Sequence, residues 1–141
     1  MGKKLNVVLD TNVWISIFLK KTLSAEFSRL LEEDRIDVYI SEQILEEISK
    51  VLMYPKITEL LELSGVSVKQ ILRIIVESST PVNPKVKLDL IKKDPEDNKI
   101  LECALAAGAD FVVSGDGHLL KLRKFKNIKI MRPREFLDHM G

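Results

Sequence analysis

Leu5-Asn6-Val7-Val8-Leu9-Asp10-Thr11-Asn12 is a short apolar run that breaks into a polar turn. Apolar residues on neighbouring positions, several of them β-branched, followed at once by a turn signal, predict a strand buried on both faces, as in a parallel sheet. Asp10 then stands at the carboxyl end of that strand. A carboxylate there can simply cap a helix opened by Thr11 and Asn12. Parallel sheets also gather their sites at the carboxyl ends of strands, which gives Asp10 a second reading.

Outward from this stretch, Trp14 to Leu19 and Ala25 to Leu31 carry apolar residues at helical spacing, and Ile36 to Ile40 predicts a second strand. Ser41 is placed to cap the next helix, where Ile44, Leu45, Ile48, Val51 and Leu52 form one apolar stripe. Glu46 points nearly opposite that stripe, whereas Glu47 falls about 100° from its centre, on the border between core and solvent. Pro55 closes the segment. Ile57 to Leu63 and Val68 to Ser78 read as two further helices joined at Ser64-Gly65, a helical arm at about 56–79. Pro81 and Pro84 mark a connection. Asp94-Pro95-Glu96-Asp97 predicts a helix start with Asp94 as N-cap, running through Ile100, Leu101, Ala104 and Leu105 to Gly108. Phe111 to Val113 predicts a strand ending at Ser114-Gly115-Asp116, Ile128 to Ile130 a last strand, and Arg134 to His139 a short helix.

Strands alternating with helices imply an α/β fold: a parallel sheet covered on both faces and joined by right-handed crossovers. Asp10 and Asp116 then lie just past strand ends, Asp97 lies in the first turn of a helix in register with its apolar stripe, and Glu47 flanks a core-facing stripe. Four carboxylates from four segments can converge on one edge. Two carboxylates about 5 Å apart repel by roughly 3 kcal/mol at an effective dielectric near 20, so such a group needs protons or cations to persist. Hard oxygen ligands favour Mg²⁺ or Mn²⁺.

The 141 residues are 45% hydrophobic and 30% charged, enough for one core and too few for a second, so 1–141 reads as one domain. With 22 Lys plus Arg against 21 Asp plus Glu, the net charge of +1 neither favours nor excludes a nucleic-acid partner. Cys103 is alone, which removes a disulfide framework and a thiolate zinc site and suits a reducing cytosol. The basic opening Met1-Gly2-Lys3-Lys4 precedes an apolar run interrupted by Asn6 and Asp10, which lacks the h-region of a signal peptide, and no stretch is long enough to cross a bilayer. A cytoplasmic protein is expected.

Other reactive side chains have plainer readings. His118 reads as a surface or capping residue, His139 as incidental, Cys103 as a small buried apolar residue, and Trp14 as core. From Gly117 to Arg134 the chain carries Lys121, Arg123, Lys124, Lys126, Lys129, Arg132 and Arg134 with no acid among them. The strip can be an ordinary solvated face or, led by Lys121, Arg123 and Lys124 close behind Asp116, a surface for a nucleic-acid backbone.

Taken in order, Leu5 to Asn12, Ile44-Leu45-Glu46-Glu47-Ile48, Asp94 to Leu101, and Val113-Ser114-Gly115-Asp116 with Leu119-Leu120 resemble the motifs of a PIN-domain protein. More narrowly, they resemble the stand-alone PIN proteins grouped as VapC-like toxins of toxin-antitoxin pairs. The resemblance spans Leu5 to about Phe136. It implies a three-layer α/β/α fold with a central parallel sheet and a metal-dependent endoribonuclease acting on RNA phosphodiesters with Mg²⁺ or Mn²⁺. An antitoxin protein partner and a homodimer are also implied. Residue by residue it makes Asp10, Glu47, Asp97 and Asp116 the metal-binding acids and Asn12 and Ser114 polar helpers, with Ser114 standing where the family commonly has Thr. Glu46 in place of Glu47 and Asp94 in place of Asp97 stay open as alternative registers. Amphipathicity favours Glu47, and capping assigns Asp94 to the backbone. A PIN scaffold that binds RNA or a protein partner without cleaving is the competing reading. Receiver and haloacid-dehalogenase-type sites fit poorly, because Asn12 stands where the latter needs a second Asp.

Overall fold

A computed structural model describes residues 4–141; the opening Met1-Gly2-Lys3 lies outside the described residues. The Leu5 stretch forms β1 (Leu5–Leu9), followed by α1 (Thr11–Leu19), α2 (Lys21–Glu32), β2 (Ile36–Ser41) and α3 (Glu42–Leu52). Then come α4 (Pro55–Ser64), α5 (Val68–Ser78), β3 (Thr80–Val82), α6 (Pro95–Ala107) and β4 (Phe111–Val113). The chain ends with α7 (Gly117–Leu120), β5 (Lys124–Phe125), β6 (Ile128–Met131) and α8 (Pro133–Met140). The six strands form one sheet in the order β3-β2-β1-β4-β6-β5, and every neighbouring pair is parallel except β5 with β6. Helices cover both faces, giving the three-layer α/β arrangement expected from the alternation of elements.

β1 lies at the centre of this order, with Val7, Val8 and Leu9 buried in succession. From β1 the chain winds outward through β2 to β3, then returns across the sheet through α6 to β4 on the other side. The strand order therefore reverses between β1 and β4, and a crevice opens beyond their carboxyl ends. α6 packs on β1, β2 and β4. Phe136 of α8 stacks on Phe27 of α2 at 5.9 Å between ring centroids and meets Phe111 of β4 edge-on at 5.7 Å, joining the two terminal thirds of the chain. Leu61 of α4 and Ile71 and Ile75 of α5 are buried in the same core.

Several sequence expectations change. The connection marked by Pro81 contains β3, paired with β2 through Tyr39 and Thr80, Ile40 and Pro81, and Ser41 and Val82. β3 is an outer strand, where a proline's missing N–H costs no pairing on its open side. Pro55 opens α4 at its first position as well as ending the segment before it. A two-residue strand, β5, is too short to leave a periodic signal. The first helix starts at Thr11 rather than Trp14, because Asp10 caps it.

One further anchor shapes the site. Asn98, buried in the first turn of α6, accepts from the Leu90 and Ile91 N–H groups at 3.0 and 2.8 Å and donates to the Ile91 carbonyl at 2.8 Å. Glu102, one helical turn on, accepts from the Leu88 N–H at 2.8 Å. The irregular segment before α6 is thereby clamped against the helix it precedes.

Candidate metal centre

Asp10 is held by both carboxylate oxygens. Its Oδ1 accepts the Asn12 N–H at 2.8 Å and the Val13 N–H at 3.2 Å, so it caps α1, while its Oδ2 accepts the Ser114 hydroxyl. The Ser114 oxygen in turn accepts the Asp116 N–H at 2.9 Å. The Asp10 N–H donates to the Val113 carbonyl at 3.0 Å. The ends of β1 and β4 are thus tied by backbone and side chain, and the capping and site readings of Asp10 hold together in one residue. Ser114 is completely buried.

Asp116 caps α7 by accepting the His118 N–H at 2.7 Å, and His118 Nδ1 lies 3.5 Å from the same oxygen, Oδ1. Asp97 projects from the first turn of α6 into the crevice. It is 7% exposed, and its Oδ2 is buried with no hydrogen-bond donor among the described residues. A buried, unpartnered carboxylate oxygen is costly unless a proton or cation meets it.

Electrostatics express the crowding. Burial first, then contact with and repulsion from Asp116, and then repulsion from Asp94 and Asp10, push the Asp97 pKa up to about 8. Burial also raises Asp10, opposed by the hydrogen bonds from Ser114, Val13 and Asn12. For Asp116 burial acts upward, yet contact with Asp97, the His118 and Leu119 N–H groups and the His118 ring leave it below the usual carboxylate range. Glu47 is raised by burial, then by close contact with and repulsion from Glu96, and by Asp94.

Asp10, Asn12, Glu47, Asp97 and Asp116 line one small cavity of about 70 Å³ with Thr11, Gln43, Ile44, Asp94, Glu96, Lys99 and Ile100. That volume holds ions and a few waters, not a nucleotide. Glu46 is exposed and does not line it, in keeping with the helical register. Asn12 contributes its backbone N–H, and its side chain is exposed. Lys121, Arg123 and Lys124 are exposed beyond α7 and do not line the cavity; the lysine that does is Lys99, whose ammonium lies 3.7 Å from Glu96.

The tightest ligand-like group is Asp94, Asp97, Asp116 and His118, each offering one atom within 4.8 Å of the others. Asp10 and Glu47 lie outside this set while lining the same cavity. The N-cap reading of Asp94 needs correction: Asp94 occupies the cap position, but its side chain makes no capping hydrogen bond, and it is the backbone carbonyl that accepts the Asp97 N–H at 3.0 Å. With φ −140° and ψ 86° the residue is turned out of a normal cap geometry. Its spacing of three from Asp97, on one face of a helix start, was the available signal. The sequence thus offers Asp94 as an alternative ligand to Asp97, and carries no such signal for Glu96 or Gln43.

The donor set fits a divalent cation: several carboxylates in one crevice, one with an orphaned buried oxygen, and too few counter-charges among protein groups. Fold and crevice together define a class. The chain belongs to the PIN domain family, whose family model matches residues 6–118. No curated protein matches it in sequence. Among solved structures it is similar to a chain in the crystal structure of VapBC2 from Rickettsia felis bound to a DNA fragment from their promoter. The TM-score is 0.58 at 16% identity, covering 89% of this chain and 97% of that one. Likeness at that identity is likeness of fold. No helix of the described residues is long and apolar enough to cross a membrane.

Proposed function

We propose that this chain is a metal-dependent endoribonuclease that hydrolyses RNA phosphodiesters, the toxin component of a toxin-antitoxin pair. The observation that carries the reading is the orphaned Oδ2 of Asp97 in a crevice shared with Asp10, Glu47 and Asp116. Asp10, Asp97 and Asp116 would hold one or two Mg²⁺ or Mn²⁺ ions, with Glu47 completing the shell or orienting water. When bound, such an ion acidifies water and offsets the charge that develops on a phosphodiester under attack.

The chain's own groups do the rest. Ser114 and the first turn of α1 fix the Asp10 carboxylate from both sides, so its remaining lone pairs face the cavity without reorganisation. Glu47, on the cavity wall and raised above the ordinary carboxylate range, is placed to receive a proton from the attacking water. Lys99 is the cation available to an incoming phosphate at the wall, and Lys121, Arg123 and Lys124 would guide the strand from outside. We take the protein to be cytoplasmic, homodimeric and a single domain with α4 and α5 as its arm. The neighbour named VapBC2 is a complex bound to promoter DNA, which supports seeking an antitoxin partner for this chain.

Asp10→Asn tests the assignment. Purified variant should keep its circular dichroism spectrum and lose divalent-stimulated cleavage of a structured RNA. Cleavage at the wild-type rate would remove Asp10 from the catalytic set, and wild-type protein inert with both Mg²⁺ and Mn²⁺ would leave the binding-scaffold reading in its place.

A further inference from the structure

We infer that the resident ion is held by a mixed oxygen and nitrogen set that includes Asp94 and His118, which tunes this site toward Mn²⁺ over Mg²⁺. The inference rests on the metal-dependent reading of the site and adds to it two ligands and a metal preference.

Two observations carry it. Asp94, Asp97, Asp116 and His118 each place a ligand atom within 4.8 Å of the rest, which is the spacing needed to surround one ion. Independently, Asp97 is 7% exposed and its Oδ2 has no hydrogen-bond partner among the described residues, so one member of the set is already desolvated and waiting for a positive charge. An ordinary ion pair would account for His118 lying 3.5 Å from Asp116. It would not account for Asp94 turning away from its capping role to join two other carboxylates at the same point.

The local fold explains why these four meet. Asp94 and Asp97 lie three apart at the start of α6, and Asn98 and Glu102 clamp the segment before Asp94 onto that helix. Asp116 and His118 lie two apart across the turn that opens α7, with the Asp116 side chain accepting the His118 N–H. Within each pair a hydrogen bond from the second residue's backbone N–H fixes the spacing of the two residues. The crevice at the ends of β1 and β4 brings one pair against the other.

The chemistry then follows from ligand type. Mg²⁺ binds oxygen almost exclusively and keeps its waters; Mn²⁺ also favours oxygen but, as a first-row transition ion, accepts an imidazole beside its carboxylates, and later first-row ions bind imidazole more tightly still. His118 is partly exposed, so it is free to turn one ring nitrogen to the ion without breaking the core.

The test uses full-length, metal-free protein titrated with MnCl₂ and with MgCl₂ by calorimetry, together with pulsed electron paramagnetic resonance of the Mn²⁺ complex. Wild-type protein should show ¹⁴N modulation from a directly bound imidazole, absent in His118→Gln. Loss of even an outer hydrogen-bond partner of a metal ligand costs about tenfold or more in affinity. Mn²⁺ affinity should therefore fall by at least about that factor in Asp94→Asn and in His118→Gln, while Mg²⁺ affinity changes clearly less in His118→Gln. Unchanged thermal melting of the metal-free variants excludes misfolding as the cause. Absence of ¹⁴N modulation in the wild type, or unchanged Mn²⁺ affinity in either variant, overturns the inference. RNA cleavage is read separately: cleavage without nitrogen ligation defeats only this inference, and nitrogen ligation without cleavage defeats only the nuclease reading.

Discussion

The Ser114 hydroxyl donates to Oδ2 of Asp10, so two residues 104 positions apart in the chain share one hydrogen at the carboxyl ends of β1 and β4. The Ser114 hydroxyl oxygen in turn accepts the Asp116 N–H at 2.9 Å. One completely buried hydroxyl thereby sets two of the site's acids relative to each other.

Ser114→Ala leaves Asp10 Oδ2 without its donor and the Asp116 N–H without its acceptor. The expected cost is about 1–3 kcal/mol of folding free energy, read from urea denaturation, with a fall in cleavage rate. Ser114→Thr keeps the hydroxyl and should retain more activity than the alanine variant, whatever its added methyl costs in packing.

Asp97 gives the metal-free protein an unusual pH profile. Its folded pKa of about 8 exceeds the ordinary 3.8, so between these values the folded state binds more protons than the unfolded chain, and this group's contribution to stability falls as pH rises and levels off above about 8. Thermal melts with chelator should show Asp97→Asn gaining on wild type as pH increases from about 5 to about 8. Divalent metal should raise the wild-type melting temperature more at the alkaline end, where no proton must be displaced. A variant that melts in parallel with wild type at every pH would show that Asp97 is not the group responsible.

Glu47 and Glu46 are neighbours with opposite expectations. Glu47→Gln should lower cleavage roughly 10²-fold if Glu47 receives the water's proton, and it should not destabilise the chain, because it relieves repulsion from Glu96. Glu46→Gln, on the exposed face, should change stability by less than about 0.5 kcal/mol and leave cleavage intact. The reverse ranking in single-turnover assays would exchange the two assignments.

Asn98→Ala removes the clamp on Leu90 and Ile91. Leaving the buried Ile91 N–H and carbonyl unpaired should cost about 3 kcal/mol, and hydrogen exchange at the Leu90 and Ile91 amides should accelerate more than exchange in β1. Uniform acceleration across the chain would instead mean global destabilisation.

Cys103 should be silent toward thiol reagents. It is buried, and burial pushes its pKa up to about 12 against a modest opposing contact with Ser41, so almost no thiolate exists near neutrality. Native protein should leave dithionitrobenzoate unreduced, and one equivalent should react in guanidinium.

Much of this fold was legible because its signals are local. The apolar run of Leu5–Leu9, broken only at Asn6, the apolar Phe111–Val113, the helix Val68–Ser78, and the Ser41 cap all rest on patterns within a dozen residues. Thr80–Val82 was not legible, since its only reason to be extended is the neighbouring strand it pairs with, and Pro81 argues locally against it. The site divides along the same line. Asp10, Asp97 and Asp116 stand at element ends that the pattern predicts, and Asp94 is legible by its spacing from Asp97 as an alternative ligand, whereas the meeting of these acids with His118 depends on α6 and α7 facing each other across the crevice, which no local spacing records. Asp94 in particular followed a sound capping rule at a position where the side chain is drawn elsewhere.

The two outermost strands of the sheet have a consequence of their own. β3 is three residues long and carries Pro81, and β5 is two residues long, carries Lys124 and runs antiparallel to its neighbour. Both rims are thus poor templates for a further strand, one lacking an amide hydrogen and the other presenting a charge. Growth of the sheet from one molecule into the next is therefore disfavoured at either end, which leaves the helices and loops as the surfaces better suited to association.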